Sequence, residues 1–416
     1  MPSNSARSCR ARRSSIRSGA TKCSRRRARS TTSSSAYAAV SSATPKHPST
    51  STPYAASATA LLSNPRLPQN EPRVVSKLLL QAIDCKSTAR RPVWIMRQAG
   101  RYLPEYRELR RRYSFKELAS SADLATEVTL LPCQRFPLDA AIVFADIMSP
   151  LPALGVEFEF DPGPVIANPI RDQAGVDALH DVDPETIAPE VMTALKQTRA
   201  ELPDETALLG FCGAPWTLAA YLVEGRGVKD FPTLRAFAAA EPAALDALLA
   251  RLADLMVHYL LNQARAGADA VQIFDSWAGL LSLADWDRLI RPHLRALLEA
   301  VGNAGIPRIL FLQNAPHLVE AYADLPAEVL AVDWRVDLAA VQSRFQDRRA
   351  VQGNIDPAIL LGGAAPTRAA VTELLQRVDA LGHIVNLGHG ILPDTPLESV
   401  EALIETVHNE SELSRP

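Results

Sequence analysis

Cysteine is scarce in this chain and scattered. Five occur in 416 residues, Cys9, Cys23, Cys85, Cys133 and Cys212, with no Cys-x-x-Cys and no histidine pair nearby. That spacing argues against a disulfide framework and a structural zinc site, and leaves buried, reduced thiols as the expectation. No run approaches the roughly 20 apolar residues that cross a bilayer, so no membrane span is expected. No Gly-x-Gly-x-x-Gly follows the first strand and no phosphate loop is present, which argues against a dinucleotide-binding doubly wound sheet. Acid is missing from one region altogether: the first Asp or Glu is Glu71.

That acid-free stretch, Met1 to Asn70, holds twelve of the 44 basic residues, nine of them arginines within the first 30 positions. Ser, Thr and Ala fill most of the rest, and there is no secretory-type hydrophobic segment. Arg-rich, Ser-rich and acid-free is the composition of an organelle transit peptide, and residues 1–70 are expected to be one. The plain alternative is a disordered basic arm that binds nucleic acid. The long Ser/Thr/Ala-rich part favours a plastid address over a mitochondrial one. Without these residues, 32 basic face 46 acidic ones, a net charge of −14. A nucleic-acid-binding domain has the opposite balance, so no nucleic-acid partner is expected. An anionic substrate would have to be attracted locally.

Residues 71–416 are expected to form a single domain. From Leu79 on, short apolar strands alternate with helical stretches. Eight strand candidates stand out: Val93 to Arg97, Ala140 to Asp146, Ala207 to Gly213, Ala270 to Ser276, Arg308 to Asn314, Val329 to Trp334, Arg349 to Asn354 and His383 to Gly388. Most are continuous apolar runs, as in parallel strands covered on both faces. Between them, Leu245, Leu248, Leu249, Leu252, Leu255, Met256 and Tyr259 repeat at helical spacing until Gly267. Thr395-Pro396-Leu397-Glu398 has the form of a capping box opening the last helix. Val156 to Phe160 and Pro164 to Ile166 read as a hairpin. Eight strand–helix units over about 320 residues predict an α/β fold, a (β/α)8 TIM barrel.

A barrel places its chemistry at the carboxyl ends of its strands. Arg97 ends the first, with Gln98, Ala99, Gly100 and Arg101 in the loop behind it. Two guanidiniums four apart suit carboxylates or phosphates, although structural ion pairs are the plain alternative. Gly100 is expected to supply the backbone freedom that turns the loop. Asp146 ends the second strand, and could instead cap a helix or pair with a lysine. Tyr221 lies one or two helical turns past the third, where core packing is the usual role. Asp275 and Ser276 end the fourth, Ser276 with a capping alternative. His389 sits between Gly388 and Gly390 after the eighth, either as a structural histidine or with glycines that let something large approach. His258, His293 and His317 read as structural, and the run Arg107, Arg110, Arg111, Arg112 as a solvated helix face.

Two stretches, WIMRQAGRYLPEYR from Trp94 and GFCGAPWTLAAYLVEG from Gly210, resemble the signatures of the uroporphyrinogen decarboxylase family. FADI, IFDSWAG, AVDW, QGNIDP and NLGHG fall where that family has them, and the likeness runs from roughly Ser76 to His408. It implies a (β/α)8 barrel, a homodimer, no cofactor and no metal. It also implies removal of four CO2 from the acetate side chains of uroporphyrinogen III, giving coproporphyrinogen III in haem and chlorophyll synthesis, and hence a plastid enzyme. By position it assigns Arg97, Gln98, Ala99, Arg101, Asp146, Tyr221, Ser276 and His389 to the substrate, with Asp146, Arg97 and Tyr221 catalytic. Two other classes compete: a corrinoid methyltransferase relative, which would need zinc held by His and Cys, and a tetrapyrrole carrier without catalysis.

Overall fold

The computed structural model describes residues 77–160, 163–345 and 349–410. The expected transit segment, 1–70, lies outside them. Seven strands form one parallel sheet and follow each other in chain order: β1 (Ala140–Ile142), β4 (Ala207–Gly213), β5 (Ala270–Asp275), β6 (Arg308–Leu312), β7 (Val329–Val332), β8 (Ala350–Gln352) and β9 (His383–Ile384). The remaining two, β2 (Phe158–Phe160) and β3 (Pro164–Ile166), are the expected hairpin, paired antiparallel. Helices link the parallel strands, as a right-handed crossover requires. Most strands stop short of their predicted carboxyl ends because the polar residues there turn away into loops.

The first predicted strand is reduced to a single bridge, Val93 to Val385. It is nonetheless held on both sides. Val385 N–H donates to Pro92 O (2.9 Å) and Trp94 N–H to Val385 O (3.3 Å), while Asp139 N–H donates to Val93 O (2.9 Å). The segment therefore lies between β9 and β1, the two outer strands of the sheet. Its side chains alternate like a strand's. Val93 and Ile95 pack with surrounding helices, and Trp94 and Met96 point into the curl.

Inside the curl Trp94 and Met96 meet Ala140, Ala207, Leu209, Ala270, Ile309, Phe311, Val329, Ala331, Ala350 and Ile384. The helix Leu78–Ile83 covers the same core with Leu79, Ala82 and Ile83. The alternate strand residues, such as Leu208, Val271, Leu310, Leu330 and Val351, face the helices. Apolar demand on both faces explains why the sequence reads as continuous hydrophobic runs. Trp94 also donates to Gln352 Oε1 (3.0 Å), and Gln352 to Gln272 Oε1 (3.1 Å).

One device recurs at the amino ends of the strands. An acid stands just before a strand, accepts a backbone N–H from its neighbour and pairs with a cation. Asp139 takes Val93 N–H (2.8 Å) and a two-pronged Arg90 (2.7 and 2.8 Å). Asp269 takes Leu208 N–H (2.7 Å) and Lys77 (2.6 Å). Glu328 takes Arg308 N–H (2.7 Å) and the Arg308 guanidinium (2.9 Å). Each acid thus fixes strand register and is neutralised at once.

The long helix is Pro242–Arg265, its predicted apolar face buried, and Gly267 beyond it has φ +114°. The predicted capping box at Thr395 is not formed. The last helix starts at Leu397 without a side-chain cap, and the buried Thr395 hydroxyl has no partner. Thr395 N–H instead closes a turn onto Leu392 O (3.2 Å), placing the side chain inside rather than over the helix end.

Candidate active site

The chain turns sharply where the inner-core residue Met96 gives way to Arg97. Arg97 has φ +61°, while Gly100 is not in the left-handed region. The freedom expected of Gly100 is therefore exercised by an arginine, at a cost of about 1–2 kcal/mol for an L-residue. Gly100 serves by proximity, since a Cβ there would lie 3.0 Å from Arg97 O. The twist lifts the Arg97 side chain out of the core and over the last loop. A Cβ on Gly390 would come within 2.3 Å of Arg97 Cδ. Gly388 lies equally close to the Asp333–Trp334 backbone. The two glycines beside His389 thus admit Arg97 and a backbone turn, not an incoming molecule against the imidazole.

Asp146 lies four residues beyond the end of β1. Its Oδ1 accepts Met148 N–H (2.8 Å), and its own N–H donates to Ser149 Oγ (3.3 Å). The capping alternative is thus half realised: one oxygen organises the turn 147–150. No hydrogen bond among the described residues engages the other. Burial pushes the Asp146 carboxyl up, opposed by the Met148 amide and by the field of Arg97. The acid is left short of partners rather than neutralised.

Tyr221 lies in the helix Pro215–Glu224, edge-on to Phe231 (ring centroids 5.9 Å apart) and Trp277 (6.5 Å). Burial raises its phenol; Trp277 opposes this, Asp146 adds to it and Arg97 opposes it. His389 is driven down to about 4 by burial first and then by Arg97, with Asp333 opposing. Its imidazole is therefore neutral near pH 7. Arg97, Asp146, Tyr221 and His389 thus share one electrostatic neighbourhood, drawn from four separate stretches of sequence.

The other expected residues are placed less uniformly. Ser276 follows β5 and lines a cleft of about 440 Å³ with Trp277, Lys229, Gln313 and Asn314. Its N–H donates to Thr217 Oγ1 (2.9 Å). Arg101 is exposed on the turn, and no hydrogen bond or ion pair among the described residues holds its side chain. Ala99 is half-buried beside it. Gln98 has its side chain engaged in the fold. It is fully buried, its Oε1 taking Ile95 N–H (3.2 Å) and its Nε2 donating to Ala140 O (3.1 Å). Its amide fastens the first segment to β1. Of the histidines read as structural, His293 meets Asp246 (2.8 Å) and His317 meets Leu281 O (2.9 Å).

Three residues were not singled out by sequence reasoning. Asn386, in NLGHG, accepts Met96 N–H (2.9 Å) and Leu387 N–H (2.7 Å), clamping the first segment to the last loop. Thr217 and Tyr322 both donate to the buried Asp275. Asp275 and Asp333 were visible only as strand ends; full burial is what sets them apart. Cys212 is buried and Cys133 partly so; desolvation pushes the Cys133 thiol up to about 12 and raises that of Cys212 too. Among the described residues no three His, Cys, Asp or Glu side chains are grouped to hold a metal, and no helix is long and apolar enough to cross a membrane.

Comparison with known proteins bears on this arrangement. Residues 75–410 match the family model described as uroporphyrinogen decarboxylase (URO-D). A uroporphyrinogen decarboxylase from Gloeobacter violaceus is 42% identical over 338 residues, covering 80% of this chain and 97% of the relative. One from Sorangium cellulosum is 44% identical over 321 residues, covering 76% and 92%. Among solved structures, a methyltransferase from Methanosarcina mazei superposes with a TM-score of 0.70 at 21% identity, over 80% of this chain and 98% of that one, which shows a shared fold. The chain belongs to the uroporphyrinogen decarboxylase family.

Proposed function

We propose that this chain decarboxylates uroporphyrinogen III at its four acetate side chains, giving coproporphyrinogen III and four CO2. The observation that carries the reading is the unneutralised group at the carboxyl ends of the strands: Arg97 without an ion pair, and Asp146 with a free oxygen among the described residues. A substrate with eight carboxylates needs guanidiniums that no protein acid has already claimed. Arg97 and Arg101 supply them.

The chemistry needs an electron sink for each departing CO2. A pyrrole provides one itself. Protonated at a ring carbon, it becomes an iminium; the electrons of the breaking C–C bond flow into it, a second proton completes the methyl group, and loss of the first proton from the ring carbon restores the pyrrole. No separate cofactor has to supply that sink. The residues then have three tasks: orientation, proton delivery and stabilisation of the developing cation. Asp146 suits the last. Its carboxylate, deprived of water, can accept pyrrole N–H groups in the ground state. It meets a full positive charge when the ring is protonated, and the difference lowers the barrier. Tyr221, beside Asp146, and neutral His389, beside Arg97, complete the polar lining.

The same reading takes the Val93–Met96 segment as the eighth stave of a (β/α)8 barrel, supported by its bonds to β9 and β1. It takes a homodimer from the family, and a plastid address, with mitochondrion as the alternative, from the composition of residues 1–70. A corrinoid methyltransferase reading is weaker, because among the described residues no three His, Cys, Asp or Glu side chains are grouped to hold a zinc ion. Anaerobic incubation with uroporphyrinogen III, followed by counting product carboxylates, tests the proposal. The expected product has four; an unchanged eight-carboxylate substrate would remove it.

A further inference from the structure

Asp275 has a setting unlike that of any acid discussed so far. It ends β5, is fully buried, and faces hydroxyl groups instead of cations. Tyr322 donates its hydroxyl to Oδ2, and Thr217 donates to Oδ1 (3.2 Å). Tyr322 is itself held by Trp286 Nε1–H (3.2 Å). Thr217 then accepts Ser276 N–H (2.9 Å), so the carboxylate reaches the next residue's backbone through one hydroxyl. The amides of Ala278 and Trp277 also point at it. A buried acid bonded by so many neutral donors is a rigid hub, since moving any one leaves an unpaired group away from water.

The segment that the hub holds reaches a cleft. The segment Ser276–Ala278 turns immediately over Asp275, and Ser276 and Trp277 form part of the wall of the 440 Å³ cleft. No hydrogen bond among the described residues engages the Ser276 hydroxyl. Gly279 makes the wall tight, since a Cβ there would lie 2.2 Å from Asn314 O on the opposite lining segment. Trp277 is in turn the ring against which Tyr221 packs.

We propose that Asp275, acting through Thr217 and Tyr322, is a positioning residue that fixes the Ser276–Trp277 wall and thereby sets how a carboxylate arm of the substrate is held; this rests on the decarboxylase reading above. The hub belongs to binding geometry rather than to bond breaking. Its loss raises KM while leaving kcat nearly intact, because the reacting ring still meets Arg97 and Asp146.

Thr217→Val and Thr217→Ser test it, because Val keeps the shape of Thr without its hydroxyl and Ser keeps the hydroxyl. Steady-state kinetics on uroporphyrinogen III and amide hydrogen exchange are measured on both. The Val variant is expected to show about a tenfold rise in KM, with kcat within threefold of wild type. Exchange should be at least tenfold faster at Ser276 and Trp277, and unchanged in β4. The Ser variant is expected within twofold of wild type in all of these. A Val variant that matches wild type in KM and exchange overturns the proposal, as does a Ser variant that fails like Val. Should Val not fold, Tyr322→Phe removes only a hydroxyl and is read by the same criteria. A wild type without turnover removes the functional reading alone, while the exchange comparison still decides whether the hub holds the wall.

Discussion

The two ends of the sheet treat charge in opposite ways. At the amino ends Asp139, Asp269 and Glu328 are each paired with a cation and bonded to a strand amide. Arg91 there is bonded to Glu410 (2.9 Å) and to the carbonyls of Leu375 and Val378. At the carboxyl ends Arg97 and Arg101 lack ion pairs among the described residues, Asp146 has one oxygen unengaged, and His389 is held neutral. Two acids at that end, Asp275 and Asp333, are fully bonded, but each holds a turn. A carboxylate raised by burial is costly to leave with an open oxygen, and exposed guanidiniums without ion pairs are free to take an anion, so both suit a surface that a ligand completes. The difference separates residues that maintain the fold from residues that wait for a substrate.

The sharpest way to break this comparison is at the amino end. Arg91→Met should remove about 3–5 kcal/mol of stability, because Glu410 loses its guanidinium and the Leu375 and Val378 carbonyls lose their donor. It should leave kcat unchanged at a temperature where the protein is folded. Denaturant unfolding beside kinetics checks this, and a large kcat loss in the folded variant would blur the two ends. Asp146→Asn is the mirror test. It keeps one acceptor and removes the charge, so kcat should fall at least about 10²-fold, about 3 kcal/mol, with little change in Tm. A kcat within threefold of wild type would demote Asp146 to a structural turn residue.

Acid should probe the amino end next. His383 opens β9, fully buried, one ring nitrogen meeting Gly353 O (3.0 Å). Burial first and Arg91 second push it down to about 3. The unfolded chain protonates this histidine near pH 6.5 while the folded chain does not. Stability is therefore complete above about 6.5 and declines by about 1.4 kcal/mol per pH unit as pH falls towards 3. Asp275, raised to about 6 by burial, works the other way: between about 6 and 3.8 it favours the folded state as pH falls. Comparing wild type with His383→Gln isolates the first effect. The gap between their unfolding free energies should narrow steadily below pH 6.5, and a constant gap would exclude the buried neutral imidazole.

The smallest effect is expected at Gly390→Ala. The new methyl needs the space of the Arg97 side chain. Displacing a guanidinium that no ion pair anchors should lower kcat/KM roughly tenfold, about 1.4 kcal/mol, and leave Tm unchanged. A variant with wild-type kcat/KM would show that Arg97 does not depend on that contact.

Much of this was legible in order along the chain. Apolar runs such as ALLGFCG gave strands because both faces of a parallel sheet are buried, and the polar residues after each run marked the ends where function collects. Arg97, Asp146, Tyr221, Ser276 and His389 were visible as unusual residues at such places. Gln98 was read as part of the same loop chemistry, yet its amide is consumed in joining the first segment to β1. Thr395 had the pattern of a cap and is buried without capping. Spacing says which residues are near in sequence, not which way a side chain is turned by a neighbouring element.

The sequence by itself determined the alternation of strands and helices, the composition break at Glu71 and the motifs that carry the family. These depend on residues close together in the chain, where periodicity and composition act. Only the tertiary structure decided which charges are paired. The Lys77–Asp269, Arg91–Glu410 and Thr217–Asp275 contacts join residues 192, 319 and 58 positions apart. Whether a buried carboxylate is neutralised, bonded by hydroxyls or left open depends on what the fold brings across the sheet, because desolvation and Coulomb forces act through space and not along the chain.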